Sequence, residues 1–176
     1  QHSNRLEGTP PKWLMQSLQR TIAHFDDEIA QLWKEIRAHI DRHPELKRQR
    51  ELLETVPAFG EITATLLLAE LPDIERFASA RQVAAFAGVT PKHRHSGSSV
   101  RGRTQMSKMG QARIRRALYM PAIVARTHNP ITKAFSDRLA DRGKCPMVII
   151  GALMRKLLHI AYGVLKSGKP FDPQHA

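Results

Sequence analysis

Four serines, Ser96, Ser98, Ser99 and Ser107, stand among the cations Arg94, Arg101, Arg103, Lys108, Arg113, Arg115 and Arg116, with Gly97, Gly102 and Gly110 between them. A serine hydroxyl beside guanidiniums can attack a phosphodiester. The cations favour the ionised oxygen and stabilise charge building on the phosphoryl oxygens, while glycines let a nucleic-acid backbone come close. The same residue types also occur in loops that only hold phosphate, and by themselves they favour binding over catalysis. His93 and His95 form a pair able to reach one ion, but no carboxylate or cysteine stands near them. Phosphate contact or simple exposure is the better reading, and no metal site is expected there.

The charge pattern supports a polyanionic partner. From Arg76 to Ser136 the chain runs 61 residues without an Asp or Glu and carries twelve Lys or Arg, so the whole formal charge of +12 lies in that window. A one-signed field of this kind is usually offset by nucleic acid. The lone cysteine, Cys145, excludes a disulfide framework within one chain and fits a reducing cytoplasm. Pro146 to Leu165 is apolar but interrupted by Arg155, Lys156 and His159, which predicts a buried helix with a basic face and no membrane association.

The elements that must position these residues are helical. Residues 1–11 read as a polar linker, implying a piece of something longer. Apolar residues at Met15, Leu18, Ile22, Phe25, Ile29, Leu32 and Ile36 alternate three and four apart, the seam of a coiled coil stopped by Pro44, with the segment assigned as residues 12–48. Its alternative is a long amphipathic helix lying back on its own domain. Trp13 and Trp33 read as packing residues. Residues 49–71 read as two short helices about Val56-Pro57-Ala58-Phe59-Gly60, like a helix-hairpin-helix. In that motif the backbone around Gly60 and the second helix's N-terminus face a phosphate. The usual motif has Gly where this chain has Ala58, which leaves direct phosphate contact open.

A helix capped by Ser79 and closed by Gly88 is expected next, then a loop or short hairpin over Pro91 to Met106. Helices follow over Lys108 to Arg126 with Pro121 inside it, Pro130 to Ala140 and Met147 to Lys166, and residues 171–176 read as a frayed tail. The methionines Met106, Met109, Met120, Met147 and Met154 read as core filling. The fold class is all-α: a long coiled-coil helix, then a compact helical domain over 49–170 with a basic Gly/Ser loop.

In order along the chain, Val56 to Leu71, Phe86-Ala87-Gly88-Val89-Thr90-Pro91, Ser96-Gly97, Ser107-Lys108-Met109-Gly110 and Arg115-Arg116-Ala117-Leu118 resemble the C-terminal half of the insertion-sequence-110 type transposases. These are also called the 116/902 type and are relatives of the pilin-gene invertases. The resemblance covers about residues 50 to 170, and the preceding helix resembles that family's coiled-coil connector. It implies a recombinase in two parts. A RuvC-like N-terminal domain carries acidic Mg²⁺ ligands, the C-terminal domain supplies a serine that becomes joined to DNA, and a structured guide RNA helps choose the sites. By motif the nucleophile would be Ser96, with Ser107 as runner-up and more naturally a helix N-cap or phosphate ligand. Arg94, Arg101, Arg103, Lys108, Arg113, Arg115, Arg116 and Gly60 would contact nucleic acid.

The chain departs from the family pattern in having no strand-rich region where four carboxylates could gather. Asp26 and Asp27 lie on the long helix, and Asp137 and Asp141 flank the end of another. The expectation is therefore a DNA-binding, serine-bearing part of a longer prokaryotic, nucleoid-associated recombinase. It binds no cofactor itself, with Mg²⁺ in the other half, and forms a homodimer or higher oligomer through residues 12–41. The alternative is a non-catalytic helical module for which Ser96 is only a phosphate ligand.

Overall fold

The computed structural model describes residues 10–96 and 100–174, without the side chains of 93–104. The chain divides into two units, one up to Pro44 and one from Glu45 onward. The first holds α1, Lys12–Asp41, a 30-residue helix opened by Pro11. Its residues at the predicted seam are all exposed, Ile22 by 59% and Phe25 by 58%. In place of a helix continuing to residue 48, α2 begins at Pro44 and runs to Glu54. Proline has no N–H to lose at a helix start and is preset for its first turn, so Pro44 both stops one helix and opens the next.

The second unit is built around α7, Pro146–Ser167, which buries Ile149, Leu153, Leu157, Leu158, Ala161 and Val164. Against it pack α4 (Ala80–Ala87), α5 (Ala112–His128) and α6 (Pro130–Asp141), and α3 (Glu61–Glu70) packs on α5. By length and composition α7 could cross a bilayer. Its apolar face is spent on this core, as predicted. All seven described α-helices agree with an all-α class. The only described sheet is a hairpin, β1 (Pro91–Ser96) with β2 (Val100–Met106).

Local chemistry explains the corners. Leu53, Val56 and Phe59 are buried about the turn between α2 and α3. That turn closes through Val56 N–H to Leu53 O at 3.0 Å and Phe59 N–H to Val56 O at 2.9 Å. Ala58 sits there at φ +83°, a conformation that suits glycine. An L side chain is strained in it, so Ala58→Gly is expected to raise stability by about 1 kcal/mol. Thermal unfolding followed by circular dichroism should show a melting temperature about 3 °C higher, and an unchanged or lower one would mean that the turn relieves the strain. At the next corner, buried Asn129 caps α6, its Oδ1 accepting from Ile131 N–H at 3.1 Å and Thr132 N–H at 3.3 Å. Beyond α7, Phe171 N–H donates to Thr55 Oγ1 at 2.8 Å.

Candidate nucleic-acid interface

The motif residues are gathered by a knot of backbone hydrogen bonds. Helix α4 ends at Gly88 in the left-handed conformation, φ +70°. The chain leaving β2 then returns to it. Ser107 N–H donates to Thr90 O at 2.8 Å, Lys108 N–H to Gly88 O at 3.0 Å, and Gln111 N–H to Phe86 O at 2.9 Å. Arg115 Nη1 completes the knot by donating to Ala87 O at 2.9 Å and Gly110 O at 3.0 Å. The hairpin is therefore clamped at its root to α4 and to the start of α5.

This knot corrects one expectation. Helix α5 starts at Ala112, not Lys108. Lys108 and Gly110 lie at φ +55° and +141°, outside helical space, and Gln111 N–H is claimed by Phe86. Ser107 is accordingly no helix cap. Its Oγ accepts from Met109 N–H at 3.2 Å in a local turn. Ser79 does occupy the N-cap position of α4 but makes no side-chain cap. Gln82 Oε1 instead accepts from Ala78 N–H at 2.8 Å.

The strands pair antiparallel, Pro91 opposite Met106, Lys92 opposite Gln105, Arg94 opposite Gly102, His95 opposite Arg101 and Ser96 opposite Val100. Between the second and third pairs β1 advances two residues and β2 three, a bulge that turns the hairpin locally. Ser96 is thus the last residue of β1, at the far end of the hairpin from the knot. Ser98 and Ser99 lie outside the described residues. So do the side chains of His93, Arg94, His95, Ser96, Arg101 and Arg103, whose backbones the register places on the hairpin.

The other predicted cations divide by role. Lys108 and Arg116 are exposed and line a groove of about 1140 Å³ between the hairpin root, α5 and α7. Arg115 also borders it, but its Nη1 holds the knot. Arg113 sits elsewhere, paired with Glu70 of α3 at 3.1 Å while its own side chain stays 76% exposed. Gly60 is apart from the groove at the N-terminus of α3, with open space where a Cβ would stand. Sequence reasoning missed Lys92, Tyr119, Met147 and Arg155 in the groove lining. The cations Arg155 and Lys156 interrupting α7 were the available signal. Met147 is 63% exposed, not core.

A family model described as Transposase IS116/IS110/IS902 family matches residues 50–137. The chain belongs to that family. Among similar proteins, the pilin gene-inverting protein of Moraxella bovis is 40% identical over 152 residues, 86% of this chain and 47% of the relative. The transposase for insertion sequence element IS1328 of Yersinia enterocolitica is 30% identical over 173 residues, 92% of this chain and 49% of the relative. An insertion element IS110 protein of Streptomyces coelicolor is 25% identical over 156 residues, 89% of this chain and 37% of the relative. The chain thus spans about half the length of these curated relatives, or less.

For this transposase-family chain, the residues present do not fit the Mg²⁺ centre that the resemblance implies. Among the described residues no three of His, Cys, Asp or Glu gather as a metal-holding group. Asp26 and Asp27 are exposed on α1, and Asp137 is engaged with Lys133 at 3.2 Å. No step through a metal is assigned to these residues.

Beyond the groove, His159 on α7 has a buried Nε2 with no hydrogen-bond partner among the described residues. Burial first, then the charges of Arg155, Lys156 and Arg81, hold its imidazole below the ordinary value of 6.5. The unfolded chain takes up a proton near 6.5 that the folded chain refuses. Stability is then complete above that pH and declines as pH falls toward the folded-state value. Urea unfolding at pH 7.5 and 5.0 should show this loss, and His159→Gln should shrink it. An equal loss in the variant would place the proton uptake elsewhere.

Proposed function

We propose that this chain is the DNA-binding, serine-bearing C-terminal part of a transposase or site-specific recombinase, acting by strand cleavage and rejoining. The observation that carries the reading is the reach of the family match. Residues 50–137 enclose the entire acid-free window, and with it the hairpin bearing Ser96 and the knot at its root. The names of the relatives, a gene-inverting protein and an insertion-element transposase, describe rearrangements of DNA.

In this reading Ser96 Oγ attacks a DNA phosphorus, forming a phosphoserine ester as the strand's leaving oxygen departs with a proton. Reversal by a free strand end rejoins the DNA. Arg94, Arg101 and Arg103 on the hairpin, with Lys108 and Arg116 at the groove, neutralise the phosphates. Gly60 lets a second stretch of backbone approach the α3 N-terminus. Arg113 and Arg115 contribute less than their types suggest, since Glu70 and the knot already engage them. In this reading acidic Mg²⁺ ligands lie in the longer protein outside this chain, and a structured guide RNA is a further polyanionic partner. The setting is the prokaryotic cytoplasm, at the nucleoid.

The exposed seam of α1 supports self-association as a coiled coil, because seven large apolar residues in one stripe are costly to leave in water. Sedimentation across a concentration series reads this directly, and a monomer at every concentration would remove it.

The deciding experiment is mass spectrometry of the full-length parent after incubation with Mg²⁺, its element DNA and any guide RNA it uses. A nucleotide remnant on Ser96 is the expected result, and one on Ser107 would keep the mechanism and move the site. Cut DNA without any serine adduct would reduce this chain to a module that holds DNA.

A further inference from the structure

We infer that the groove between the hairpin root, α5 and α7 seats an unpaired DNA nucleotide, its base on the apolar wall and its phosphates on the basic rim. This rests on the DNA-binding reading above and adds the form in which one stretch of the strand is held. The groove, at about 1140 Å³, slightly exceeds the roughly 1000 Å³ upper end of small-ligand clefts, which suits a piece of polymer strand.

The wall and rim differ in chemistry. Tyr119, Met147 and Val148 line the groove and are 37%, 63% and 50% exposed. Their apolar surface gains nothing from a phosphate, so a paired duplex, whose outer face is sugar and phosphate, leaves it unused. The face of a base is apolar and aromatic, and it is free to reach such a wall only when unpaired. Lys92, Arg116 and Arg155 stand around the same groove, and no Asp or Glu among the described residues lines it. Its charge therefore complements a phosphodiester chain and not a neutral peptide. Arg116 and Tyr119 lie three residues apart on α5, neighbours about one helical turn or 5 Å apart along the axis, the scale of a single nucleotide. Gly151 of α7 helps shape the groove. A Cβ there would stand 2.9 Å from the methyl at the flexible end of the Met106 side chain.

The test compares fluorescence anisotropy of the chain with three labelled oligonucleotides: a fully paired DNA duplex, the same duplex with one unpaired nucleotide, and an RNA duplex with the same defect. Wild-type chain is expected to prefer the DNA with the unpaired nucleotide by about tenfold over the paired one. Tyr119→Ala with Met147→Ser, both exposed and so compatible with folding, should erase that preference while leaving paired-duplex affinity within about twofold. Circular dichroism verifies that the variant is folded. Equal binding of the two DNAs by wild type, or an equal loss on both in the variant, overturns the inference while leaving the DNA-binding reading intact. A preference for the RNA duplex overturns the choice of DNA as occupant. Failure to bind any of them overturns the inference and the proposed function together.

Discussion

Gly110→Ala is expected to destabilise the second unit by about 4 kcal/mol. The position is at φ +141°, where an alanine is strained whatever the space. The added methyl would also fall far inside contact distance of Phe86 O and 2.8 Å from Gly88 N. Neither neighbour is a side chain able to turn away. Phe86 O is bonded to Gln111 N–H, and Gly110 O is held by Arg115, so relief means breaking the knot. For a domain of this size the loss corresponds to a fall in melting temperature of about 12 °C. The same substitution at Gly60 is the control. That residue has φ −108° and nothing near the added atom, so its melting temperature should change little. Equal, small shifts at both positions would show that the α4 terminus and the 107–111 turn are not packed as described.

Ser96→Ala in the full-length protein is expected to reduce strand exchange by roughly 10⁴-fold or more, the scale of removing a covalent nucleophile, with DNA affinity almost unchanged. The alternative predicts the reverse pattern. If Ser96 only holds phosphate, exchange continues and binding weakens by about 0.5–1.5 kcal/mol, the worth of one hydrogen bond. Gel-resolved recombination and equilibrium binding on the same preparations separate the two. Ser107→Ala serves as a comparison, because that hydroxyl oxygen already accepts from Met109 N–H. A larger loss of exchange at Ser107 than at Ser96 would transfer the nucleophile to the hairpin root.

What could be read from the chain alone follows its local physics. The start of α1 is written in the three-and-four spacing from Met15 to Ile36, and the stop at Pro44 ends the helix at Asp41, short of the residue 48 assigned to the segment. The end of α4 at Gly88 is equally local. The start of α5 is not. Ser107-Lys108 looks like a cap and first turn, and only Phe86, over twenty residues earlier, claims the Gln111 N–H and forbids it. The hairpin was readable only as one of two options because its strands are polar and lack the alternation that marks a half-buried sheet. Its order comes from the root. Arg115 shares its type with Arg113 and Arg116, yet it precedes buried Leu118 by three residues and so leans toward the inner side of α5, where it binds carbonyls. The groove joins residues from three elements far apart in sequence, and no spacing rule announces it.

The pinned root of the hairpin makes it a cantilever. Five residues of β1, Pro91 to His95, separate the clamp at Thr90 from Ser96, a lever about 20 Å long at the rise of a strand. An angular play of about five degrees at the clamp moves the tip by roughly 2 Å, and misplacing a reacting atom by about 1 Å can cost 10²-fold in rate. Under the proposed function, aim at the tip is therefore a property of Gly88, Gly110 and Arg115, which hold the root of the hairpin. Small changes at the hinge should register as lost turnover before they register as lost affinity.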